Sequence, residues 1–238
     1  MNYRRARFCL PLRAMKIIAV VPAFNEALVI SDVIRSLRTV VSDVIVVDDG
    51  STDETARNAS AAGATVARHL INRGQGAALA TGTQLALQHG ADIVVHFDAD
   101  GQHDPTDISL LIAPIVSGNI EVALGSRFLG RAEGLPLLRR VTLKLGVLFT
   151  RFFSGLKLTD VHNGIRALSR RAAEQIHITH DGMAHASEIL DQVADLKLSY
   201  VEVPVTVRYT PYSLARGQGS MNGFRIIAKL ISSKFFSN

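Results

Sequence analysis

Residues 93–103 read IVVHFDADGQH, an apolar run that leads into two carboxylates, Asp98 and Asp100. The apolar residues predict a buried strand, and side chains two residues apart in an extended chain point the same way. Both carboxylates therefore face one small volume at the carboxyl end of this strand. Hard oxygen ligands of this kind suit Mg²⁺ or Mn²⁺, which in turn suit a diphosphate. Taken alone, the segment is explained equally well as a polar turn, because Asp and Gly are common turn residues.

The first half of the chain repeats this pattern of an apolar run followed by a polar or glycine-rich loop and a helical stretch. The other segments with this pattern are 17–26, 44–55 and 64–78. Strands that alternate with helices favour βαβ units and a mostly parallel, Rossmann-like sheet flanked by helices. Ligands of such sheets bind beyond the carboxyl ends of the strands. The sequence therefore predicts an α/β fold with a nucleotide site at that edge.

Seven short motifs occur in the order found in family 2 glycosyltransferases. The chain resembles this family at 21–26 (VPAFNE), 48–53 (DDGSTD), 74–78 (GQGAA), 98–103 (DADGQH), 125–128 (GSRF), 160–166 (DVHNGIR) and 202–205 (EVPV). Within the family it is similar to the branch of dolichol-phosphate mannosyltransferases and polyprenyl-phosphate sugar transferases. The resemblance implies a GT-A fold, in which a nucleotide half and an acceptor half form a single domain.

The resemblance places the donor nucleotide at the ends of the first strands and at the glycine-rich loop. Pro22, Phe24 and Glu26 are expected to line the base and ribose pocket. Asp49 resembles the family carboxylate that hydrogen-bonds the nucleotide, and Gly76 belongs to the glycine-rich loop. These five residues, together with Asp98, form the expected donor-binding set.

The same resemblance gives roles to the carboxylates and to two arginines. Asp98 is expected near the ribose and donor sugar, whereas Asp100 is expected to hold Mg²⁺ or Mn²⁺ with Gln102 as a second ligand. Such an ion neutralises charge on the leaving nucleoside diphosphate. Arg127 and Arg139 are expected to bring the anionic donor and acceptor together, since a guanidinium group binds phosphate oxygens. A surface salt bridge is the structural alternative for Arg127.

Two departures from the family pattern narrow the expected chemistry. The family usually carries Lys where Gln75 stands, so one cation expected near the diphosphate is missing, and Arg73 lies close enough in sequence to replace it. The chain contains no tryptophan, so it lacks the Gln/Arg-x-x-Arg-Trp signature of processive polysaccharide synthases. We therefore expect transfer of one sugar rather than repeated chain extension.

Basic residues concentrate in three segments that contain no acidic residue. Residues 1–14, 134–159 and 203–238 hold 14 of the 26 lysines and arginines, which leaves 12 against all 21 acidic residues elsewhere. A membrane surface attracts such segments, at about 1 kcal/mol for each basic residue near anionic lipid. Nucleic acid also attracts positive charge, but no recognised nucleic-acid motif accompanies it. We therefore expect contact with a membrane and no nucleic-acid partner.

Two of these segments are predicted to form basic amphipathic helices. Residues 224–231 carry one apolar stripe, and a longer one lies beside Arg139, Arg140 and Lys144. Helices of this kind lie in the lipid interface, although a surface helix whose stripe packs on the domain has the same pattern. The longer stripe comprises Leu137, Leu138, Val141, Leu145, Leu148 and Phe152.

No apolar stretch in the sequence approaches the roughly 20 residues that a transmembrane helix needs. We therefore expect a peripheral protein on the cytoplasmic, inner face of the membrane, with a separate membrane protein as an alternative means of attachment. The single cysteine, Cys9, excludes an intrachain disulfide and fits a reducing cytoplasm.

The predicted boundaries divide the chain into three parts. Residues 1–14 form a basic N-terminal extension, 15–210 the GT-A domain, and 211–238 a flexible loop with a basic amphipathic C-terminal helix. Residues 209–219 contain Gly and Ser and are expected to form either a flap over the donor or a plain connector.

The expected function is transfer of one sugar, with inversion, from a GDP- or UDP-linked donor to a polyprenyl (dolichyl or undecaprenyl) phosphate. A lipid monophosphate has a second pKa near 6, so it is a nucleophile at neutral pH without help from a protein base. Transfer to a sugar hydroxyl of a lipid-linked or soluble glycan would need a general base, and Glu188 is the candidate. The third hypothesis is a non-catalytic protein that binds sugar nucleotides.

Overall fold

The computed structural model describes residues 15–154, 156–161 and 163–216 of the 238-residue chain. The predicted N-terminal extension and the predicted stripe at 224–231 lie outside these residues. No helix in the described ranges is both long enough and apolar enough to cross a membrane.

The described chain folds around one mixed sheet. Its strands lie in the order β3-β2-β1-β4-β6-β5-β7. The first four strands run parallel, β6 runs antiparallel to its neighbours β4 and β5, and β7 is parallel to β5. The prediction of a Rossmann-like, mostly parallel sheet is therefore confirmed. The strands are Ile17–Ala23 (β1), Asp43–Asp48 (β2), Thr65–Arg68 (β3), Ile93–His96 (β4), Val122–Glu133 (β5), Arg166–Ser169 (β6) and Tyr200–Arg208 (β7).

Helices cover both faces of the sheet. Those that connect the parallel strands follow the predicted alternation of strand and helix, and a longer helix follows β5. The helices are Ile30–Leu37 (α1), Thr55–Ala61 (α2), Gln75–Gln88 (α3), Ile108–Val116 (α4), Leu137–Ser154 (α5), Arg170–Gln175 (α6), His185–Asp195 (α7) and Pro211–Arg216 (α8).

Alternate residues of the central strands contribute to two separate hydrophobic cores. On β1, Ala19 and Val21 face one core, whereas Ile18 and Val20 face the other. Helices α1, α2 and α4 pack on the first core, and α3, α5, α6 and α7 pack on the second. Because both faces of the sheet are covered, β1 and β2 are apolar at nearly every position.

The strand register brings several loops to one edge of the sheet. Ala23 lies beside Asp48, so the carboxyl ends of β1 and β2 are level, whereas β4 ends three residues earlier, where His96 lies beside Val20. β6 runs in the opposite direction, and its first residue, Arg166, pairs with His96. The loop that precedes β6 therefore meets the loops that follow the parallel strands.

Residues 211–216, which the sequence predicts as the start of a flexible loop, form helix α8. Pro211 occupies the first helical position, which favours proline because no intrahelical partner is lost there. Thr210 and Ser213 then cap the helix reciprocally: the Ser213 amide donates to Thr210 Oγ1 at 3.1 Å, and the Thr210 amide donates to Ser213 Oγ at 3.0 Å. This helix returns the chain toward the carboxyl end of β1.

Candidate active site

The two predicted carboxylates lie in the loop that follows β4. Asp98 accepts hydrogen bonds from Gln75 Nε2 at 2.8 Å and from His103 Nε2 at 3.3 Å, one on each oxygen. Asp100 Oδ1 accepts the backbone amide of Gln102 at 3.0 Å. The loop thus holds both carboxylates at the edge where the sequence predicts the nucleotide site.

The two carboxylates titrate differently because their surroundings differ. Burial and the nearby charge of Asp98 raise the pKa of Asp100 to about 6. Burial also acts to raise the pKa of Asp98, but the His103 hydrogen bond and the charges of His103 and Arg166 outweigh it, so this pKa is lowered. Two partly buried carboxylates that repel each other form a site that a divalent cation would stabilise.

The donor set fits a divalent ion that is shared with a substrate. Mg²⁺ is commonly held by one or two carboxylates and completes its shell with water and phosphate oxygens. Within the part of the chain that the structure describes, no group of three His, Cys, Asp or Glu residues is arranged to hold a metal. Asp98 and Asp100 would therefore supply the protein ligands, and Gln102, buried in the same loop, stays a predicted ligand.

Gly164, for which the sequence predicts no role, lies against Asp98. A Cβ atom at this position would lie 1.8 Å from Asp98 Oδ2, so any side chain would displace the carboxylate. Gly164 is part of the 160–166 motif quoted above, and that motif was the available signal. The loop before β6 is therefore one wall of the carboxylate site.

Asp49 holds the loop that leads into α3. Its Oδ1 accepts from His69 Nδ1 at 2.7 Å and from the Arg73 amide at 3.0 Å, and its Oδ2 accepts the Gly74 amide at 2.6 Å. These bonds attach the glycine-rich loop to the end of β2. The predicted bond from Asp49 to the nucleotide is an additional role that stays a prediction.

The first amides of α3 are already bonded within the protein. Gly76 and Ala77 donate to the carbonyl oxygen of Asp181 at 2.8 and 3.2 Å. A Cβ atom on Gly76 would lie 2.0 Å from the His180 carbonyl oxygen, so glycine is required for this close approach. Gly76 therefore lies against the 180–182 segment in this structure, and its expected place beside a diphosphate stays a prediction.

The predicted base and ribose residues occupy the end of β1. Pro22 is buried within the strand, opposite Val47, whereas Phe24 is 41% exposed just beyond it. Glu26 is buried, and its Oε2 accepts the hydroxyl of Tyr212 at 2.7 Å. Tyr212, in α8, thereby reaches the predicted nucleotide pocket, as expected if the segment after β7 covers the donor.

Arg127 lies in a buried ion pair instead of the surface salt bridge that the sequence left open. Its backbone amide and its Nε donate to Asp160 Oδ2 at 3.0 and 2.6 Å, and its Nη1 donates to the Tyr209 hydroxyl. Burial acts to lower the pKa of Arg127, but Asp160 and Tyr209 outweigh it and raise the pKa, so the guanidinium group keeps its charge.

Arg139 comes from α5 and contacts the ring of the same tyrosine. Its Cζ lies 5.1 Å from the centroid of the Tyr209 ring, within the range of a cation–π contact. The fold thus brings together the two arginines that the sequence predicts to handle anions, with Tyr209 between them.

The candidate base Glu188 has a structural position at the start of α7. Its carboxylate accepts the backbone amides of Thr179 and His180, each at 3.1 Å, as well as the Thr179 hydroxyl. These bonds fix the segment that packs on the first turn of α3. The structural alternative is therefore the better description of Glu188.

Helix α5 turns its predicted apolar stripe toward the outside. Leu137 is 76% exposed and Leu148 is 67% exposed, whereas Val147 is buried in the second core. The side chain of Phe152 lies outside the described set. The stripe residues that are exposed, at 47–76%, are Leu137, Leu138, Val141, Leu145 and Leu148.

Sequence comparison relates the chain to enzymes that use lipid phosphates. It is 36% identical over 240 residues to the UDP-N-acetylglucosamine–dolichyl-phosphate N-acetylglucosaminyltransferase of Methanococcus voltae, with 90% of this chain and 94% of that protein covered. It is 31% identical over 204 residues to the undecaprenyl-phosphate mannosyltransferase of Micrococcus luteus, with 81% and 83% covered.

Structural comparison and a family profile also relate the chain to glycosyltransferases. Glucosyl-3-phosphoglycerate synthase from Mycobacterium tuberculosis, solved with Mn²⁺, UDP-glucose and phosphoglyceric acid, matches with a TM-score of 0.70 and 25% identity over 92% of this chain and 79% of that one. The profile named Glycosyl transferase family 2 matches residues 18–177, from β1 to beyond α6. Since the motifs, the strand order and these relatives agree, the chain is a glycosyltransferase with a GT-A fold and belongs to glycosyl transferase family 2.

Proposed function

We propose that the enzyme transfers one sugar, with inversion, from a nucleoside-diphosphate sugar to a polyprenyl phosphate at the cytoplasmic face of a membrane. The observation that carries this proposal is the pairing of an acidic and a cationic region at one edge of the sheet. Asp98 and Asp100 follow β4, and Arg127 lies two strands away on β5, about 10 Å across the sheet. The lipid-phosphate relatives support this choice of acceptor.

The donor would bind across the ends of β1, β2 and β4. Phe24 offers an exposed ring to the base, Pro22 shapes the strand end, and Glu26 lies within reach of the ribose. Asp49 and Gly76 order the adjoining loop. UDP-sugars are the first donors to test, because the Methanococcus relative and the Mycobacterium complex both involve them.

Asp100, with Asp98 beside it and Gln102 in the same loop, would hold Mg²⁺ or Mn²⁺ against the donor diphosphate. When bound there, the ion would neutralise the charge of the leaving nucleoside diphosphate. Gln75 donates a neutral hydrogen bond to Asp98, so this residue adds no positive charge that would compete with the ion for the carboxylates.

The acceptor phosphate would attack the anomeric carbon from the side opposite the diphosphate. Its second pKa near 6 makes it a nucleophile at neutral pH, so no protein base is needed. This agrees with the structural role of Glu188, whose carboxylate accepts backbone amides. Arg139 would attract the phosphate and reduce the repulsion between the two anionic substrates, and Arg127 would support Arg139 through Tyr209.

Helix α5 is the proposed membrane contact. Its outward stripe of leucines is flanked by Arg139, Arg140 and Lys144, the combination that lets a helix lie in an anionic lipid interface. A polyprenyl phosphate would then present its phosphate from the bilayer at the Arg139 end of the same helix. Attachment through a separate membrane protein is the alternative.

The test is a transfer assay with purified protein, a panel of radiolabelled UDP- and GDP-sugars, Mg²⁺ or Mn²⁺, and undecaprenyl or dolichyl phosphate. Label that enters the organic phase from one donor, and that EDTA abolishes, is the expected result. Label that appears only in a soluble phosphorylated acceptor or glycan would overturn the lipid assignment. The complex of the Mycobacterium enzyme with phosphoglyceric acid makes a small phosphate acceptor the second candidate.

A further inference from the structure

We propose that Tyr209 is a positioning residue that holds the guanidinium group of Arg139 in place for the phosphate of the acceptor. This inference rests on the proposed function, because it names the ligand of that same cationic region. It assigns different tasks to the two arginines: Arg127 anchors the tyrosine, and Arg139 meets the ligand.

Tyr209 is fixed on its buried side. The residue is 8% exposed, and its backbone amide donates to the Glu133 carbonyl oxygen at 2.9 Å. Its hydroxyl accepts from Arg127, whose Nε and backbone amide are held by Asp160. Asp160 is held in turn, because its own amide donates to Glu202 Oε1 at 3.0 Å. A chain of buried polar contacts therefore determines where the ring lies.

Arg139 is the last residue in this series of contacts and lies over the Tyr209 ring. Its side chain is half-buried, and no carboxylate among the described residues forms a salt bridge with it. The Tyr209 ring orients the guanidinium group through its face without neutralising the charge. Arg127 differs, because Asp160 already balances its charge. Arg139 is consequently the arginine that is better placed to bind an anion.

The tyrosine also lies close to the carboxylate loop. The preceding residue, Arg208, donates its amide to the Gln102 carbonyl oxygen at 2.8 Å, and Val207 forms a bridge with His103. The end of β7 thus connects the loop of Asp100 with the tyrosine that supports Arg139. This connection links the position proposed for the acceptor phosphate to the loop proposed for the donor diphosphate, which an in-line attack requires on opposite sides of the anomeric carbon.

The test compares Tyr209→Leu with the conservative variant Tyr209→Phe. Binding of farnesyl phosphate, a short isoprenoid phosphate, is measured by calorimetry, and the KM values of donor and lipid acceptor are measured separately. Loss of the ring should weaken farnesyl phosphate binding and raise the acceptor KM about tenfold. The phenylalanine variant keeps the ring under Arg139 but loses the hydroxyl that accepts from Arg127, so both values should fall between those of wild type and Tyr209→Leu. The donor KM should stay the same in both variants.

A double-mutant cycle tests whether Tyr209 affects acceptor binding through Arg139. Arg139→Ala should weaken farnesyl phosphate binding, and adding Tyr209→Leu should weaken it little further, because both changes remove the same interaction. Equal binding by wild type and Tyr209→Leu would overturn the positioning role, as would equal losses of donor and acceptor affinity in that variant. If wild-type protein transfers no sugar to a prenyl phosphate and does not bind farnesyl phosphate, the proposed function itself fails, and the role of Tyr209 fails with it.

Discussion

Asp98 and Asp100 differ in how many of their oxygen atoms other residues already occupy. Asp98 accepts one side-chain hydrogen bond on each oxygen, from Gln75 and from His103. Among the residues that the structure describes, the hydrogen bond to Asp100 comes from one backbone amide. Asp100 therefore has more lone pairs left for an ion, and the two carboxylates are not interchangeable.

Replacing Asp100 by Asn should lower metal-dependent turnover by at least about 100-fold, because the ion loses a charged ligand. The melting temperature should not change, because the Asn amide oxygen still accepts a hydrogen bond from the Gln102 amide. Asp104→Asn is the matched control: it removes a carboxylate from the same loop, where that carboxylate pairs with Arg208 at 2.9 Å. Mn²⁺ titration in the presence of UDP would measure the loss of metal affinity. Unchanged Mn²⁺ affinity in Asp100→Asn would contradict the assignment of Asp100 as a metal ligand.

Gly164→Ala tests whether the wall of the site positions Asp98. The added methyl group would lie 1.8 Å from Asp98 Oδ2, so the carboxylate must move, and such overpacking costs about 1–3 kcal/mol. We expect kcat/KM to fall more than about tenfold. Gly182→Ala is the control, since a Cβ there meets nothing within 4 Å. Wild-type kinetics in Gly164→Ala would mean that Asp98 tolerates displacement.

The residues that the sequence did not reveal act through contacts between distant segments. The acidic loop was predictable, since an apolar strand that ends in two carboxylates is a local pattern. Tyr209 contacts Arg127 from 82 residues away, and Gly164 matters only because Asp98 lies against it. No local pattern identifies such pairs. The family motifs indicated the segments without indicating which atoms meet.

Helix α5 shows that the sequence pattern of a whole helix also does not identify what the helix contacts. Its apolar periodicity was readable from the sequence, but a membrane-facing stripe and a core-facing stripe have the same period. The structure shows that the stripe does not enter the core, because Val147 is buried while Leu137 and Leu148 face outward. Similarly, the parallel strands β1 to β4 followed from strand–helix alternation. The antiparallel β6 depends on the direction in which the chain returns, which composition does not encode.

Replacing Leu137 and Leu148 together by Glu should weaken binding to vesicles that contain anionic lipid by at least about tenfold, since each leucine contributes roughly 1.5–3 kcal/mol when fully buried. The control pair is Leu110→Glu and Val116→Glu on α4, where both residues are 52% exposed. Co-sedimentation with vesicles would measure the difference. Equal binding by both double variants would exclude α5 as the membrane contact.

At the scale of the whole molecule, the second core contains a buried arginine and two buried histidines beneath the sheet edge that carries the candidate active site. Arg166 is buried, and burial lowers its pKa to about 10. His96 and His185 are buried near it. Burial, and next the charge of Arg166, lower the pKa of His96 well below 6.5 and that of His185 to about 4. Both histidines are therefore neutral in the folded protein at neutral pH.

These buried histidines should make the fold lose stability in mild acid. Below pH 6.5 the unfolded chain binds a proton at His185 that the folded protein binds only near pH 4, so the free energy of unfolding falls with pH across this window. The pKa difference corresponds to roughly 3 kcal/mol for His185, and His96 acts in the same direction. Asp100, with its raised pKa, acts in the opposite direction.

His185→Asn isolates the histidine contribution, because Asp100 is common to both proteins and cancels from their difference. Asn does not titrate, and its amide is placed to replace the 2.9 Å bond between His185 Nδ1 and the Gly182 carbonyl oxygen. Urea unfolding at pH 7.5, 6.5, 5.5 and 4.5 should show a shallower loss of stability in this variant than in wild type. Substituting the exposed His177 by Asn should leave the wild-type slope. Parallel pH profiles of wild type and His185→Asn would show that His185 binds its proton at the same pH in the folded and unfolded chains, and would contradict the lowered pKa of this histidine.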